Sequence, residues 1–333
     1  MSRGARGGPF GGTYALASVV EPTFSVLMPA YQTAATIGPA LESVLSQSRQ
    51  DFEVVVVDDG SSDDTADRVA RYADRDERVR LVRQANAGLA GARNTAIAHA
   101  RGELVSLLDS DDLWMPSYLE AMAAALAGDA DAAFAYTDAW VFDDETRRVR
   151  RATAMATLNP PASAPREASA LLSLLLEGNF IVAFATVRRS AIDAVGPFDA
   201  SLRRCEDYEL WLRIARAGYR AVQAPGIHAL YRKRAVSLNT PATESEMRAT
   251  NRELYRRVAE EWQVPDAIRA QAARRMAATD AFLRADSGER LLAGARLRLR
   301  RTLARAARPL LERRRWHSSP PPEVAATFDL HAI

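Results

Sequence analysis

Short apolar runs alternate with helical patterns from Thr23 to about Phe134, and this alternation constrains the fold more than any other feature of the chain. The four runs lie at residues 24–28, 52–57, 79–82 and 104–108. Short and mostly apolar runs are typical of parallel strands that are buried on both faces of a sheet. Strands that alternate with helices build βαβ units. The sequence therefore predicts an α/β fold with a mostly parallel sheet flanked by helices.

Helical patterns fill the gaps between these runs. Residues 37–46 carry their apolar side chains on one face. Ser61 or Ser62 can cap a second helix, and a third helix should extend from Gly88 to Ala100. Beyond Phe134 the pattern becomes looser. There we expect helices over residues 167–177 and 207–217, strands over 180–187 and 219–223, and only helical patterns from 243 onward.

These patterns divide the chain into segments. We predict a disordered start (1–22), an α/β domain (23–239), a helical C-terminal region (240–316) and a flexible tail (317–333). The domain itself divides near residue 138 into two halves, 23–138 and 139–239.

Composition excludes several classes of protein. The 44 basic and 42 acidic residues give a net charge of +2, so a protein that coats nucleic acid is not expected. One cysteine, Cys205, cannot form an intramolecular disulfide, which fits a cytoplasmic protein. We predict no signal peptide and no membrane-spanning helix. The basic and Leu-rich stretch 284–316 can lie on an anionic membrane, which would place the protein at the inner face of the membrane, or it can pack as an ordinary helix on the domain.

Polar residues follow three of the predicted strands. Ligands bind beyond the carboxyl ends of parallel strands, so these residues should converge at one edge of the sheet. They form the segments Pro29–Tyr31, Asp58–Ser61 and Asp109–Asp112. The spacing of Asp109 and Asp111 can direct two carboxylates at one hard cation, Mg²⁺ or Mn²⁺. Alternatively, the acidic run only caps the helix that begins near Pro116.

Other polar residues have both a functional and a structural interpretation. Tyr31 can stack on a nucleobase or pack in the core. Asp58 and Asp59 can contact a ligand or merely form a turn. Arg93 and Asn94, on the third helix, can reach a ligand or support helix packing.

Together and in this order, these segments resemble the donor half of the family 2 glycosyltransferases, which have a Rossmann-like GT-A fold. The matching segments are Phe24–Tyr31, Leu41–Ser48, Val55–Ser61, Ala87–Glu103 and Asp109–Asp112. The resemblance covers residues 23 to about 238. It implies that 23–138 binds a nucleotide-sugar donor, that 139–239 binds the acceptor, and that Pro29, Tyr31, Asp58, Asp59, Arg93, Asn94 and Asp109 bind substrate, with Asp111 and Asp109 at the metal.

The segment Cys205–Arg213 resembles the acidic motif that opens the acceptor-side helix in this family. Asp207 is the predicted catalytic base, and Glu206 is a predicted substrate contact. Both carboxylates could also simply favour the helix dipole in the first turn. Relatives often carry a histidine shortly after the Tyr-Arg pair, but Arg234 occupies that position here. An arginine cannot ligate a metal, although it can pair with a diphosphate.

The predicted activity is transfer of a sugar, with inversion, from a nucleoside-diphosphate sugar to a hydroxyl of a glycan or lipid-linked acceptor in envelope or extracellular polysaccharide synthesis. UDP is the expected nucleotide, although the motifs leave the base open. Two alternatives are an inactive relative that binds nucleotide-sugar or glycan, and a sugar nucleotidyltransferase. The latter usually has a Gly- and Arg-rich loop after its first strand, where this chain has Pro29–Gln32. The motifs do not indicate an oligomeric state.

Overall fold

The structure, a computed structural model, describes residues 21–158, 167–181, 184–234, 244–284, 317, 319–331 and 333. The strands are β1 (Phe24–Ala30), β2 (Phe52–Asp58), β3 (Val79–Arg83), β4 (Leu104–Leu107), β5 (Leu113–Trp114), β6 (Ala132–Asp143), β7 (Arg148–Val149), β8 (Ala185–Arg188) and β9 (Arg220–Lys233). The helices of the domain are α1 (Ile37–Leu45), α2 (Thr65–Ala73), α3 (Gly88–His99), α4 (Tyr118–Gly128), α5 (Ala168–Glu177), α6 (Arg189–Val195) and α7 (Glu206–Arg216).

The strands form one mixed sheet in the order β3-β2-β1-β4-β8-β6-β9-β5, with β7 paired to β6. β1, β2, β3 and β4 are mutually parallel, and β6 is parallel to β9. β5, β7 and β8 run antiparallel to their neighbours. β1 lies between β2 and β4, so the strand order reverses at β1, where a crevice for ligands is expected. The α/β prediction, a mostly parallel sheet flanked by helices, is confirmed.

Helices cover both faces of the sheet because alternate residues of β1 and β2 point to opposite sides. Val26 and Val54 lie in a core shared with α1 and α4, where Leu41 and Met122 are fully buried. Leu27 and Val55 lie in the opposite core, which α3, α5 and α7 close. This double coverage explains why the runs in the sequence are mostly apolar.

Three predictions about elements were wrong in part. Strand β6 continues to Asp143, although its pattern was expected to loosen after Phe134. β9 does not end before Pro225, because its pairing with β6 skips from Gln223 to Ile227 and then resumes. Ser61 and Ser62 do not cap α2, which begins only at Thr65, after a turn held by Asp63.

The C-terminal region begins with α8 (Glu244–Arg256), which runs into a π-helical turn over Arg257–Glu261, and continues with α9 over residues 266–284. Of the stretch proposed to meet a membrane, 284–316, all but Arg284 lies outside the described residues, as does 1–20 of the predicted disordered start. Among the described helices, none has the length and apolar character needed to cross a membrane.

Residues 317–333 were predicted to form a flexible tail, but the described residues of this segment include a helix and buried side chains. Pro322–Thr327 is a short helix, α10, and Val324 is fully buried. Val324 and Leu330 pack against Phe142 and Leu230 in a third apolar cluster. Burial of these side chains stabilises an ordered end of the chain.

Candidate functional site

The carboxyl ends of β1, β2 and β4 bring most of the predicted donor-side residues to one edge. Asp58 closes β2, and its backbone pairs with Ala30 at the end of β1. Tyr31, the next residue, leaves 52% of its surface exposed, so its ring is free to stack on a ligand. Pro29 is buried within β1 and fixes the end of the strand.

Asp59 is already engaged by the protein. Its carboxylate accepts hydrogen bonds from the side chain of Gln84 (2.6 Å) and from the backbone N–H groups of Ala87 (2.8 Å) and Gly88 (2.9 Å). It therefore caps the start of α3. Asn86 donates to the backbone carbonyl of Asp59 (3.0 Å) and is exposed at the rim. We did not predict Gln84 or Asn86, although the polar residues between β3 and α3 were a signal that could have identified them.

The loop after β1 is held against the loop after β2. The N–H of Gln32, a residue with a φ of 54°, donates to the hydroxyl of Ser61 (3.0 Å), and its amide donates to Ser62 (2.8 Å). Gly60 has a φ of 79°, and a Cβ there would lie 3.0 Å from the backbone N of Asn86. A glycine is needed for this close approach of the loop after β2 to the loop after β3.

The three carboxylates after β4 differ in their surroundings. Asp112 is buried and accepts a hydrogen bond from the backbone N–H of Arg232 (2.7 Å). Asp109 and Asp111 keep 30% and 27% of their side chains exposed, and one oxygen of each contacts an arginine. Burial and the charge of Asp109 raise the pKa of Asp111, against the opposing effect of Arg234.

A divalent cation fits Asp109 and Asp111. Each has a second carboxylate oxygen without a partner among the described residues, and carboxylate oxygen suits Mg²⁺ and Mn²⁺. In the described part of the chain, no cluster of three or more His, Cys, Asp or Glu side chains could hold a metal ion. The cation would therefore depend on water and on a ligand's phosphates for most of its coordination.

Two arginines, one in β9 and one directly after it, approach the same loop. Arg232 is buried, and its Nε donates to the backbone carbonyl of Asp111 (2.7 Å), while Nη1 pairs with Asp144 (2.6 Å). Arg234 Nη1 lies 3.3 Å from Asp111 Oδ2. The position that departs from the family pattern thus lies next to the predicted metal ligand.

Arg93 joins this edge of the sheet to α7. It is buried, and its Nη2 pairs with Asp109 at 2.7 Å while its Nη1 pairs with Glu206. Burial favours the neutral form of the guanidinium, but Asp109, Glu206 and Asp207 outweigh that effect and raise the pKa of Arg93. One residue thereby holds both acidic clusters in place, and it is inaccessible to a ligand.

Glu206 and Asp207, the first two residues of α7, have different exposures. Glu206 is 5% exposed, and burial, together with Asp207 and Asp109, raises its pKa to about 7 despite Arg93. Asp207 is half-buried, and its Oδ1 accepts a hydrogen bond from the N–H of Tyr208 (2.7 Å). Burial raises the pKa of Asp207 too, and Asp109 adds to the effect, while Arg93 opposes it. Of the pair, Asp207 is the carboxylate that solvent can reach.

The start of α7 is rigid. Cys205, before it, has a φ of 59°, which a non-glycine residue adopts only when its surroundings impose it. Trp211, further along α7, stacks on Phe134 of β6 with 4.6 Å between ring centroids. Asn94 donates to the carbonyl of Phe198 (2.8 Å) and accepts from its N–H (2.9 Å). Asn94, predicted to bind substrate, is thus engaged with the segment that leads to α7.

Comparisons with known proteins bear on the family and the fold. The family model described as "Glycosyl transferase family 2" matches residues 25–196. The putative glycosyltransferase EpsE of Bacillus subtilis is 30% identical over 218 residues, which is 64% of this chain and 73% of EpsE. The β-1,3-glucosyltransferase WfgD of Escherichia coli is 42% identical over 97 residues, 29% of this chain and 38% of WfgD. The chain thus spans little more than a third of WfgD.

Two solved structures share the fold. Staphylococcus aureus TarS 1-349 in complex with UDP-GlcNAc is 22% identical with a TM-score of 0.58, and the match covers 76% of this chain and 72% of TarS 1-349. The mannosyltransferase PcManGT from Pyrobaculum calidifontis, in complex with GDP-Man and Mn²⁺, is 22% identical with a TM-score of 0.56, over 86% of this chain and 81% of PcManGT. The GT-A fold implied by the motifs is confirmed.

Proposed function

Because this chain belongs to glycosyl transferase family 2, we propose that it transfers a sugar from a nucleoside-diphosphate sugar to a hydroxyl group, with inversion at the anomeric carbon. The donor binds at the edge formed by Tyr31, Asp58 and Asp59. The acceptor approaches from the side of α7, where Asp207 is the catalytic base.

One observation carries this proposal. The buried guanidinium of Arg93 pairs with Asp109 on one side and with Glu206 on the other. Displacement at an anomeric carbon needs a stabilised leaving group on one face and a base on the opposite face. Arg93 holds Asp109, in the loop suited to stabilise the leaving group, beside the start of α7, which is suited to carry the base.

The residues of the donor edge have distinct roles in this proposal. Tyr31 stacks on the base, and Asp58 contacts the nucleoside beside Asp59, whose carboxylate caps the start of α3. Asp109 and Asp111 would hold a divalent cation, which would supply positive charge to stabilise the departing diphosphate. Arg234 contributes positive charge beside it. Pro29 and Asn94 act by fixing backbone, and Arg93 and Glu206 act by positioning their neighbours.

Asp207 removes the proton of the acceptor hydroxyl as the hydroxyl oxygen attacks the anomeric carbon. Its half-buried position and raised pKa favour a base that holds a proton after transfer. Glu206 is an unsuitable base because Arg93 engages it in the interior. A single displacement assisted by one carboxylate inverts the configuration.

The names of relatives favour UDP and a lipid-linked acceptor. WfgD is named for UDP-Glc and for a GlcNAc-diphosphoundecaprenol acceptor, and TarS was solved with UDP-GlcNAc. We therefore propose a UDP-sugar donor and a glycan or lipid-linked acceptor in polysaccharide synthesis, at the cytoplasmic side of the membrane.

A panel of UDP- and GDP-sugars with Mn²⁺ or Mg²⁺ tests this function by release of nucleoside diphosphate. We expect turnover with one UDP-sugar, and its loss in Asp111→Ala and in Asp207→Ala. Retention of full metal-dependent turnover by Asp111→Ala would refute the metal site. Product with retained anomeric configuration, measured by NMR, would refute the single displacement.

A further inference from the structure

The contact between Arg234 and Asp111 has a consequence for how donor and cation bind. We propose that Arg234 is an exchangeable counter-ion: it pairs with Asp111 in the empty enzyme and transfers to the diphosphate when donor and cation arrive. This inference rests on the proposed donor site. It makes Arg234 a competitor of the cation in the empty enzyme and a ligand of the nucleotide in the complex.

The contact has the features of an exchangeable pair. Its atoms are 3.3 Å apart, and the two side chains are 33% and 27% exposed. The Arg93–Asp109 pair in the same site is 2.7 Å long, with an arginine that is only 2% exposed. A partly exposed and loosely paired arginine loses little when it changes partner, whereas a buried one cannot leave its carboxylate without a large penalty.

Neighbouring groups hold Asp111 in place independently of Arg234. The Nε of Arg232 donates to the backbone carbonyl of Asp111 (2.7 Å), and the backbone N–H of Arg232 binds Asp112 (2.7 Å). Arg232 is itself 3% exposed and paired with Asp144, so it is unable to reach a diphosphate. Arg234 can therefore move without unfolding the loop that carries Asp111.

The charges at Asp111 make the exchange directional. Arg234 and a divalent cation both seek the carboxylate of Asp111, and two positive groups cannot share it without repulsion. A diphosphate brings new negative charge next to that carboxylate. An arginine forms strong, often bidentate hydrogen bonds to phosphate oxygens, so the guanidinium gains a better partner as the cation takes the carboxylate.

If the exchange occurs, the substitution Arg234→Ala should change the affinities for Mn²⁺ and for UDP in opposite directions. In Arg234→Ala the empty enzyme should bind Mn²⁺ about three- to fivefold more tightly, because Arg234 no longer competes with the cation for the Asp111 carboxylate. The same variant should bind UDP about tenfold more weakly in saturating Mg²⁺, because a charged hydrogen bond to phosphate is lost. A merely structural role would weaken both.

The test measures Mn²⁺ binding without nucleotide by electron paramagnetic resonance and UDP binding by calorimetry. Arg252→Ala serves as the matched control, because Arg252 forms a similarly exposed pair with Asp280 in the C-terminal region, and it should change neither affinity. Arg234→Lys keeps the charge and should restore part of the UDP affinity.

The outcomes separate this inference from the proposed function. If the wild type binds UDP but Arg234→Ala leaves either affinity unchanged, or weakens both, the exchange is refuted and the donor site stands. If the wild type binds neither UDP nor GDP, both are refuted. Opposite shifts in the two affinities would support the exchange.

Discussion

The protein has two acidic clusters, Asp109–Asp112 after β4 and Glu206–Asp207 at the start of α7. They share one arrangement, although the roles proposed for them differ. In each, one carboxylate is buried and satisfied by the protein: Asp112 by the backbone of Arg232 and Glu206 by the side chain of Arg93. In each, the remaining carboxylates are partly exposed.

The difference lies in the arginines. Asp109 and Asp111 have one arginine each, which leaves an oxygen of each for a cation. The solvent-accessible carboxylate of the other cluster, Asp207, accepts only a backbone N–H in the hydrogen bonds found among the described residues. Carboxylates that keep a free oxygen suit metal binding, and a solvent-accessible carboxylate with a raised pKa and no arginine in a hydrogen bond suits proton transfer. In the proposed function, the same residue type thus takes two roles according to its surroundings.

The largest expected effect comes from removing the base. Asp207→Asn should lower kcat/KM by on the order of 10²–10⁴, because an amide cannot accept the acceptor proton. UDP affinity should change less than about twofold, since the donor edge is intact. Steady-state release of UDP and calorimetry check the two parts. Full turnover by the variant would mean that another group is the base.

Breaking the link between the clusters should destabilise the fold. Arg93→Met leaves Asp109 and Glu206 without their buried partner and should cost about 3–5 kcal/mol of unfolding free energy. Urea denaturation measures it. Adding Glu206→Gln should recover part of the loss, because one of the two stranded carboxylates becomes neutral. A loss below about 1 kcal/mol in Arg93→Met would show that the clusters are held independently.

The pH dependence of stability should distinguish Glu206 from an exposed glutamate. Its pKa is raised to about 7 in the folded protein, so the folded state binds the proton more tightly than the unfolded state. The resulting stability is fully present below the unfolded pKa, near 4.5, and is lost as pH rises to about 7; it amounts to no more than about 3 kcal/mol. Glu206→Gln should flatten this decline, measured by urea denaturation across that pH range. An unchanged slope would contradict the assignment.

The smallest effect concerns the C-terminal region. Arg257 pairs with Asp199 at 2.8 Å, next to the segment that leads to Cys205 and α7. Arg257→Ala should lower unfolding free energy by less than about 1 kcal/mol and reduce kcat about two- to fivefold, with the donor KM unchanged. Arg256→Ala is the matched control, because the ion pairs of Arg256 among the described residues stay within the region 253–261. Equal kcat values for the two variants would refute the positioning role.

The sequence predicted the parallel half of the sheet well because β1, β2 and β4 are fully buried and read as mostly apolar runs, although the edge strand β3 is only partly buried. β6 was harder to predict, because Thr137 and Asp138 interrupt its apolar pattern. Asp138 fits within the strand because its carboxylate accepts hydrogen bonds from the hydroxyl of Thr153 (2.6 Å) and the backbone N–H of Met155 (2.9 Å). Pro225 marks a bulge, and the strand resumes because Ile227 pairs with Asp138. These are tertiary contacts that local patterns do not contain.

Site residues were identified by type, but their contacts depend on the fold. The motif predicts Asp59, Asn94 and Glu206 as site residues, yet in the structure their side-chain polar atoms contact protein backbone, Gln84 or Arg93. Arg93 illustrates the reason. Its two carboxylate partners are 16 and 113 residues away along the chain, so no local spacing reveals that it holds both clusters.

The described residues on both sides of the basic stretch 285–316 are attached to the described structure. Arg284 lies in α9, and the N–H of His317 donates to the carbonyl of Val149 (3.0 Å) at the edge of the sheet. A partner that bound this stretch would therefore be linked to the domain through both of its ends. Deleting residues 317–333 would remove one of these two attachments together with the apolar contacts of Val324 and Leu330.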